Sequence, residues 1–166
     1  MCYFRSMKTP KIYLETTIFN FPFVDDAPQY REDTLKLFEE IKEGKFKPFT
    51  SWHVLDELEN TTNVEKREKM KALVTDYGIE IIPANPEFRR LARMYVKEGI
   101  IKEKYEADAL HIAVATIANI DFIISLNFQH IVKHKTIIQT EVINAREGYR
   151  RVFIYTPAEV ISYEDA

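Results

Sequence analysis

The stretch KYEADALHIAVATIANIDFIISLN, residues 104–127, decides the fold. Residues 104–119 place Leu110, Val114 and Ile117 on one face at helical spacing, and the chain then enters the apolar run Phe122-Ile123-Ile124-Ser125, which reads as a strand. A helix that hands the chain to a short, wholly apolar strand is the building unit of a parallel sheet. Such strands are covered on both faces and need not alternate between apolar and polar residues.

Upstream, the same unit recurs. Ile12-Tyr13-Leu14, within a strand expected over 11–15, runs straight into Glu15-Thr16-Thr17. After turn-like residues 25–29, Leu35, Phe38 and Ile41, with Leu37 beside them, predict a helix that Gly44 stops. Residues 46–51 predict a second strand, whose terminal Thr50-Ser51 can cap a helix carrying Val54, Leu55 and Leu58, with Glu57 in its second turn. A helix over 64–76 follows, then a turn at Gly78 and a third strand over 79–82. Asn85-Pro86-Glu87 signals a helix start, because Asn caps, Pro fits the first turn and an acid suits the positive end of the dipole. That helix should reach Glu98 and end at Gly99.

Downstream, Ile138, Val142 and Ala145 predict a helix closed by Gly148, followed by a fifth strand over 152–155. Thr156-Pro157-Ala158-Glu159 matches a capping box for a short last helix. Five short strands alternating with amphipathic helices define an α/β chain: a mostly parallel five-stranded sheet with helices on both faces. Sites in such sheets form beyond the carboxyl ends of the strands, where Glu15-Thr16-Thr17 and Ser125-Leu126-Asn127 fall.

Composition narrows the function. With 166 residues and 46% hydrophobic content, one domain over 1–166 is expected, and residues 1–10 read as a flexible N-terminal extension. The single cysteine, Cys2, excludes an internal disulfide and a thiolate metal cluster, which fits a reducing, cytoplasmic setting. No stretch approaches the roughly 18 apolar residues of a membrane span. The 23 Lys and Arg against 26 Asp and Glu give a net charge of -3, so any nucleic acid must be bound locally. The basic clusters, among them Arg89, Arg90 and Arg93, read as solvated faces.

If the first and fourth strands are neighbours, Glu15 and Asn127 lie side by side at the sheet edge. Glu57 and Asp108, each near a helix start, can then face them. Crowded carboxylates raise one another's pKa values, and a cation relieves the repulsion. Mg²⁺ or Mn²⁺ suits an oxygen-rich pocket of this kind.

Three segments resemble the PIN domains, a family that includes the toxin ribonucleases of bacterial and archaeal toxin-antitoxin pairs. Ile12-Tyr13-Leu14-Glu15-Thr16-Thr17 is similar to the family's opening strand, which ends in an acid. Ser51-Trp52-His53-Val54-Leu55-Asp56-Glu57-Leu58 is similar to its second motif, a hydroxyl residue before a helix bearing a metal-associated Glu. Asp108-Ala109-Leu110-His111-Ile112-Ala113, followed by Asp121-Phe122-Ile123-Ile124-Ser125-Leu126-Asn127-Phe128, resembles the helix acid and the last strand-end motif.

The resemblance implies a three-layer α/β/α fold and metal-dependent endoribonuclease activity. It implies that Glu15, Glu57 and Asp108 are metal ligands, that Asn127 completes the catalytic set, and that Thr16, Thr17 and Ser125 support it through hydrogen bonds. The implied partners are single-stranded RNA, a cognate antitoxin and a second copy of the chain in a homodimer. Two positions depart from the family pattern. Glu15 stands where Asp is usual and is longer by roughly an ångström, and Asn127 is neutral where Asp is frequent.

Two rival functions remain at this stage. A PIN fold that binds nucleic acid or protein without efficient cleavage is kept open by Asn127. A Mg²⁺-dependent phosphatase fits the α/β pattern but lacks a strand-end Asp nucleophile. His111 reads as a packed histidine bonded to backbone, and His53 and His130 as structural. Trp52 and the run Phe19, Phe21 and Phe23 read as core.

Overall fold

The computed structural model describes residues 8–162. Residues 1–7, which hold Cys2 and most of the expected N-terminal extension, and residues 163–166 lie outside the described residues.

The sheet begins at β1 (Lys11–Leu14), in which Ile12, Tyr13 and Leu14 have no exposure because both faces are covered. A one-turn helix, α1 (Thr16–Asn20), and a 3-10 turn (Phe21–Phe23) lead to α2 (Pro28–Lys42). Gly44, at φ +80, supplies the left-handed turn that returns the chain to β2 (Lys47–Ser51). Ser51 Oγ accepts from Val54 N at 3.3 Å and so starts α3 (Trp52–Glu59). Then come α4 (Val64–Asp76), β3 (Glu80–Ile82) and α5 (Pro86–Lys97), the last capped by Asn85 Oδ1 on Glu87 N at 3.0 Å.

In the second half, a 3-10 turn (Glu103–Tyr105) precedes α6 (Glu106–Ile117), which delivers the chain to β4 (Phe122–Ile124). α7 (His134–Arg146), β5 (Phe153–Tyr155) and α8 (Pro157–Val160) complete the order. The strands form one parallel sheet in the order β3-β2-β1-β4-β5, sandwiched as the middle of an α/β/α arrangement. The chain builds outward from β1 to β3, then crosses back to start β4 on the other side. The reversal therefore lies between β1 and β4, which in open α/β sheets is where a crevice opens beyond the strand ends. Among the described residues, no helix is long and apolar enough to cross a membrane.

Three expectations need correction. The deciding helix spans 106–117 rather than 104–119, because residues 103–105 tighten into the 3-10 turn. It is also buried all round from residue 109 to 116 rather than on one face, since α5 packs against it as well as the sheet. On α2, Leu35 is exposed, and the buried stripe runs through Thr34, Leu37, Phe38 and Ile41. On α7, Ile138 and Val142 are 46% and 60% exposed, while Thr136, Thr140, Ile143 and Asn144 are buried. The polar side of α7 can face inward because its polar atoms are satisfied there. Thr136 Oγ1 donates to His130 O at 2.9 Å, Thr140 Oγ1 to Thr136 O at 2.6 Å, and Asn144 Nδ2 to Thr116 Oγ1 at 3.2 Å.

Candidate active site

Glu15 leaves the end of β1 with its backbone still tied to the neighbouring strand, Glu15 N donating to Ile124 O at 3.2 Å. Its side chain turns back to cap α1: both carboxylate oxygens accept from Thr17 N at 3.1 Å, and Ser125 Oγ donates to Oε2 at 3.3 Å. Ser125 Oγ in turn accepts from Asn127 N at 3.0 Å, and Thr17 Oγ1 accepts from Leu126 N at 2.9 Å. The segments after β1 and β4 are thus stitched together at the reversal point. Glu15 is only 2% exposed. Burial raises its pKa above the ordinary carboxylate range and the Glu57 charge adds to that, while His111 and Thr17 pull the other way.

Glu57 reaches the same edge from the second turn of α3. Its Oε1 takes Thr16 Oγ1 at 2.8 Å and His111 Nε2 at 2.6 Å, with His53 Nε2 at 3.5 Å one helical turn before it. Burial opposes ionisation of Glu57, but the His111 and Thr16 contacts outweigh it and hold its pKa low. His111 is fully buried from solvent within α6, and its Nδ1 lies 2.7 Å from Tyr13 Oη, which is also 2.8 Å from Ser51 Oγ. A chain Ser51–Tyr13–His111–Glu57 therefore crosses from β2 through β1 and α6 to α3. Burial works against the imidazolium, yet Glu57 first, then Glu15 and Asp108, raise the His111 pKa above its ordinary value.

Asp108 sits one turn before His111 on α6, and its Oδ2 lies 2.7 Å from His130 Nδ1. The His130 ring stacks on Tyr105 with centroids 3.8 Å apart, which fixes its plane. Asn127 Oδ1 accepts from His130 N at 3.0 Å, so this amide shapes the turn that presents His130. Glu57 thereby bonds to His111 and Asp108 to His130, at the edge beyond β1 and β4.

Residues 12–132, well over half of the chain, match the sequence profile of the PIN domain. The chain belongs to the PIN domain family. Among solved structures, the crystal structure of VapBC2 from Rickettsia felis, bound to a DNA fragment from its promoter, matches at a TM-score of 0.53 and 15% identity. The match covers 88% of this chain and 98% of that one and concerns the fold. No curated protein matches the sequence. PIN domains are generally nucleases, and a divalent ion is typical of them.

The donors of this PIN domain fit such an ion. The described residues contain one group of three ligand-type side chains whose atoms lie within 4.8 Å of one another: His53, Glu57 and His111. Carboxylate and imidazole are donors that Mn²⁺ accepts readily, and carboxylate alone suits Mg²⁺. The Glu57 charge adds to the cost of ionising Glu15, a cost that a bound cation would relieve.

The placement of the expected site residues in the PIN fold is therefore specific. Glu57 bonds to His111, Asp108 stands one turn before His111 and bonds to His130, Glu15 caps α1, and Thr16, Thr17 and Ser125 hydrogen-bond to Glu57, Leu126 and Glu15 respectively. Asn127 lies at the same edge with its oxygen engaged by His130 N. The expectation that His111 bonds to backbone is corrected: its partners are the side chains of Tyr13 and Glu57. His53 and His130 also belong to the constellation. The sequence signals were His53 four residues before Glu57 and His111 three after Asp108, spacings that place each pair on one helix face, whereas His130 carried only its place in the turn after Asn127.

Proposed function

We propose that this PIN domain is a metal-dependent endoribonuclease, the toxin half of a toxin-antitoxin pair, working as a homodimer on single-stranded RNA. The observation that supports the reading is geometric: beyond the ends of β1 and β4, Glu57 meets His111 at 2.6 Å and Thr16 at 2.8 Å, Asp108 meets His130 at 2.7 Å, and Glu15 meets Ser125 at 3.3 Å. We read these carboxylates, distant in sequence, as sharing one crevice in which a cation offsets their charge. The antitoxin partner is supported by the fold likeness to a chain crystallised as VapBC2.

Glu15, Glu57 and Asp108 would hold the ion, with Asn127 at the rim and His111 orienting Glu57. When bound, a divalent ion lowers the pKa of water and offsets charge developing on a phosphate. The protein's part is positioning. Thr17 N and Ser125 fix Glu15, Thr16 and His111 fix Glu57, and His130 fixes Asp108, so the acids are held before substrate arrives. His111 keeps a proton between its Nε2 and Glu57, and Tyr13 sets the ring's orientation from the other nitrogen.

The test is incubation of the purified chain with single-stranded RNA in Mn²⁺, Mg²⁺ or EDTA, beside the Asp108→Asn variant. Cleavage that needs the ion and disappears in the variant supports the reading; cleavage that persists in EDTA refutes it. A second reading, RNA retention without cleavage, is favoured by one observation: Asn127 brings no charge and its oxygen is already engaged. RNA bound but intact in every condition would select that alternative.

A further inference from the structure

The crevice that holds the acids repels a polyanion, and the whole chain is negative by 3 charges. A strand of RNA therefore needs a local cationic hold close to Glu57 and Asp108, and a concavity among the described residues supplies it. A cleft of about 600 Å³ opens between the start of α3 and the outer face of α5, lined by Trp52, Asn85, Arg89, Arg90, Arg93 and Leu110 among others. No carboxylate lines it. The cleft is built on two helices that also carry the candidate active site: Trp52 stands next to His53 in α3, and Leu110 lies between Asp108 and His111 on α6.

The arginines are arranged differently from ordinary surface charges. Arg89, Arg90 and Arg93 occupy one side of α5, so their guanidinium groups project into the same space. Arg90 is oriented by Glu87 at 2.8 Å and Tyr149 Oη at 3.2 Å, and Arg93 by Glu106 at 3.3 Å. Arg89 makes no ion pair among the described residues and is the cation with least to lose on meeting a phosphate. The Trp52 ring lies nearly parallel to Phe88, at 18° with centroids 6.1 Å apart, and is only partly buried. A rigidly backed indole beside cations is the combination that single-stranded nucleic acid uses, stacking a base while its phosphates are neutralised.

We propose that this cleft binds the single-stranded RNA on its way out of the active site, with Arg89, Arg90 and Arg93 on successive phosphates and Trp52 against a base. The inference rests on the nuclease reading for its choice of polymer, but it concerns binding and not the ion. A second cleft, about 320 Å³ and lined by Arg31, Lys66, Lys69 and Glu65, serves as the internal comparison. A carboxylate, Glu65, lines this second cleft and pairs with Lys69 at 2.9 Å, so its cationic attraction is weaker.

The test measures anisotropy of a labelled single-stranded RNA oligomer on the full chain in EDTA, across a salt series, which separates binding from cleavage. For single strands the logarithm of affinity falls with the logarithm of salt by about 0.7 per phosphate contact, so three contacts give a slope near −2. Arg89→Gln should weaken binding by about threefold to tenfold at low salt and reduce the slope by about 0.7. Trp52→Leu should weaken binding at every salt concentration without changing the slope, and Lys66→Gln should do neither. Unchanged affinity and slope in Arg89→Gln and Arg93→Gln, with folding confirmed by melting, overturn the proposal, as does transfer of the effect to Lys66→Gln. RNA binding with these signatures but no cleavage leaves the cleft standing and removes the nuclease reading. Cleavage with unaltered binding in the arginine variants does the reverse, and a wild-type chain that neither binds nor cleaves RNA removes both.

Discussion

His111 Nε2 lies 2.6 Å from Glu57 Oε1, and this contact fastens α6 to α3 across the end of β1. The other ring nitrogen is engaged by Tyr13 Oη, so the imidazole has a partner on each side although it is out of water. Replacing it by alanine removes both partners, leaves Tyr13 with Ser51 alone and opens a cavity. His111→Ala should destabilise the fold by about 3 kcal/mol, combining an unpaired buried group with lost packing. Chemical denaturation measures this; a loss below about 1 kcal/mol would mean that the network contributes little to the fold.

Glu15 poses the opposite balance. Its carboxylate is buried and faces the Glu57 charge, so its ionised form is strained without a cation. Gln at this position can still accept from Thr17 N. Glu15→Gln should therefore leave the melting temperature of the metal-free protein unchanged or higher, while weakening Mn²⁺ affinity by about tenfold or more, as one charged ligand is lost. Calorimetric titration with Mn²⁺ and melting in EDTA check both halves. A large drop in metal-free melting temperature would place Glu15 among purely structural capping residues.

Away from the site, Glu40 pins the end of the described chain. It is fully buried from solvent, both its oxygens accept from Ser162 N at 3.0 and 3.1 Å, and Lys45 Nζ lies 3.1 Å away. Burial opposes its ionisation, but the Ser162 and Lys45 contacts outweigh that and hold its pKa below the ordinary value. A depressed carboxyl pKa contributes stability that is present above the unfolded value and is lost as pH falls through the folded one. Wild-type melting temperature should accordingly drop on acidification below about pH 4.3, and Glu40→Gln should drop less over the same range. Parallel acid-induced curves for the two proteins would count against this role.

Much of this was readable in sequence because the strands are short, apolar and bounded by strong punctuation. Asn85-Pro86 and Thr156-Pro157 marked helix starts, and Gly44 and Gly99 marked ends, since each acts through the local backbone alone. What was not readable depended on partners. The inward face of α7 is polar, with Thr136, Thr140 and Asn144 buried, and its apolar Ile138 and Val142 point outward, which periodicity read the other way round. Likewise the acids at 15, 57 and 108 could be named from motif spacing and family likeness. His53 and His111 carried helical spacings to Glu57 and Asp108, but His130 could not be assigned to Asp108, because that hydrogen bond spans 22 residues and leaves no periodic trace.

Asn127 offers the sharpest single substitution, because structure and charge can be separated there. Its Oδ1 accepts from His130 N at 3.0 Å, a bond that an aspartate preserves, so Asn127→Asp should retain the turn and the fold. The new negative charge would stand in the crevice that already holds Asp108 and, through Ser125, adjoins Glu15. Crowding another carboxylate there makes the metal-free state less favourable and the ion-bound state more so. The expected outcome is a metal-free melting temperature lower by a few degrees, recovered or exceeded on adding Mn²⁺, with affinity for the ion raised about tenfold. Titration of both proteins under identical buffer decides it: equal Mn²⁺ affinities would set Asn127 outside the ion's reach and assign it to shaping the His130 turn alone.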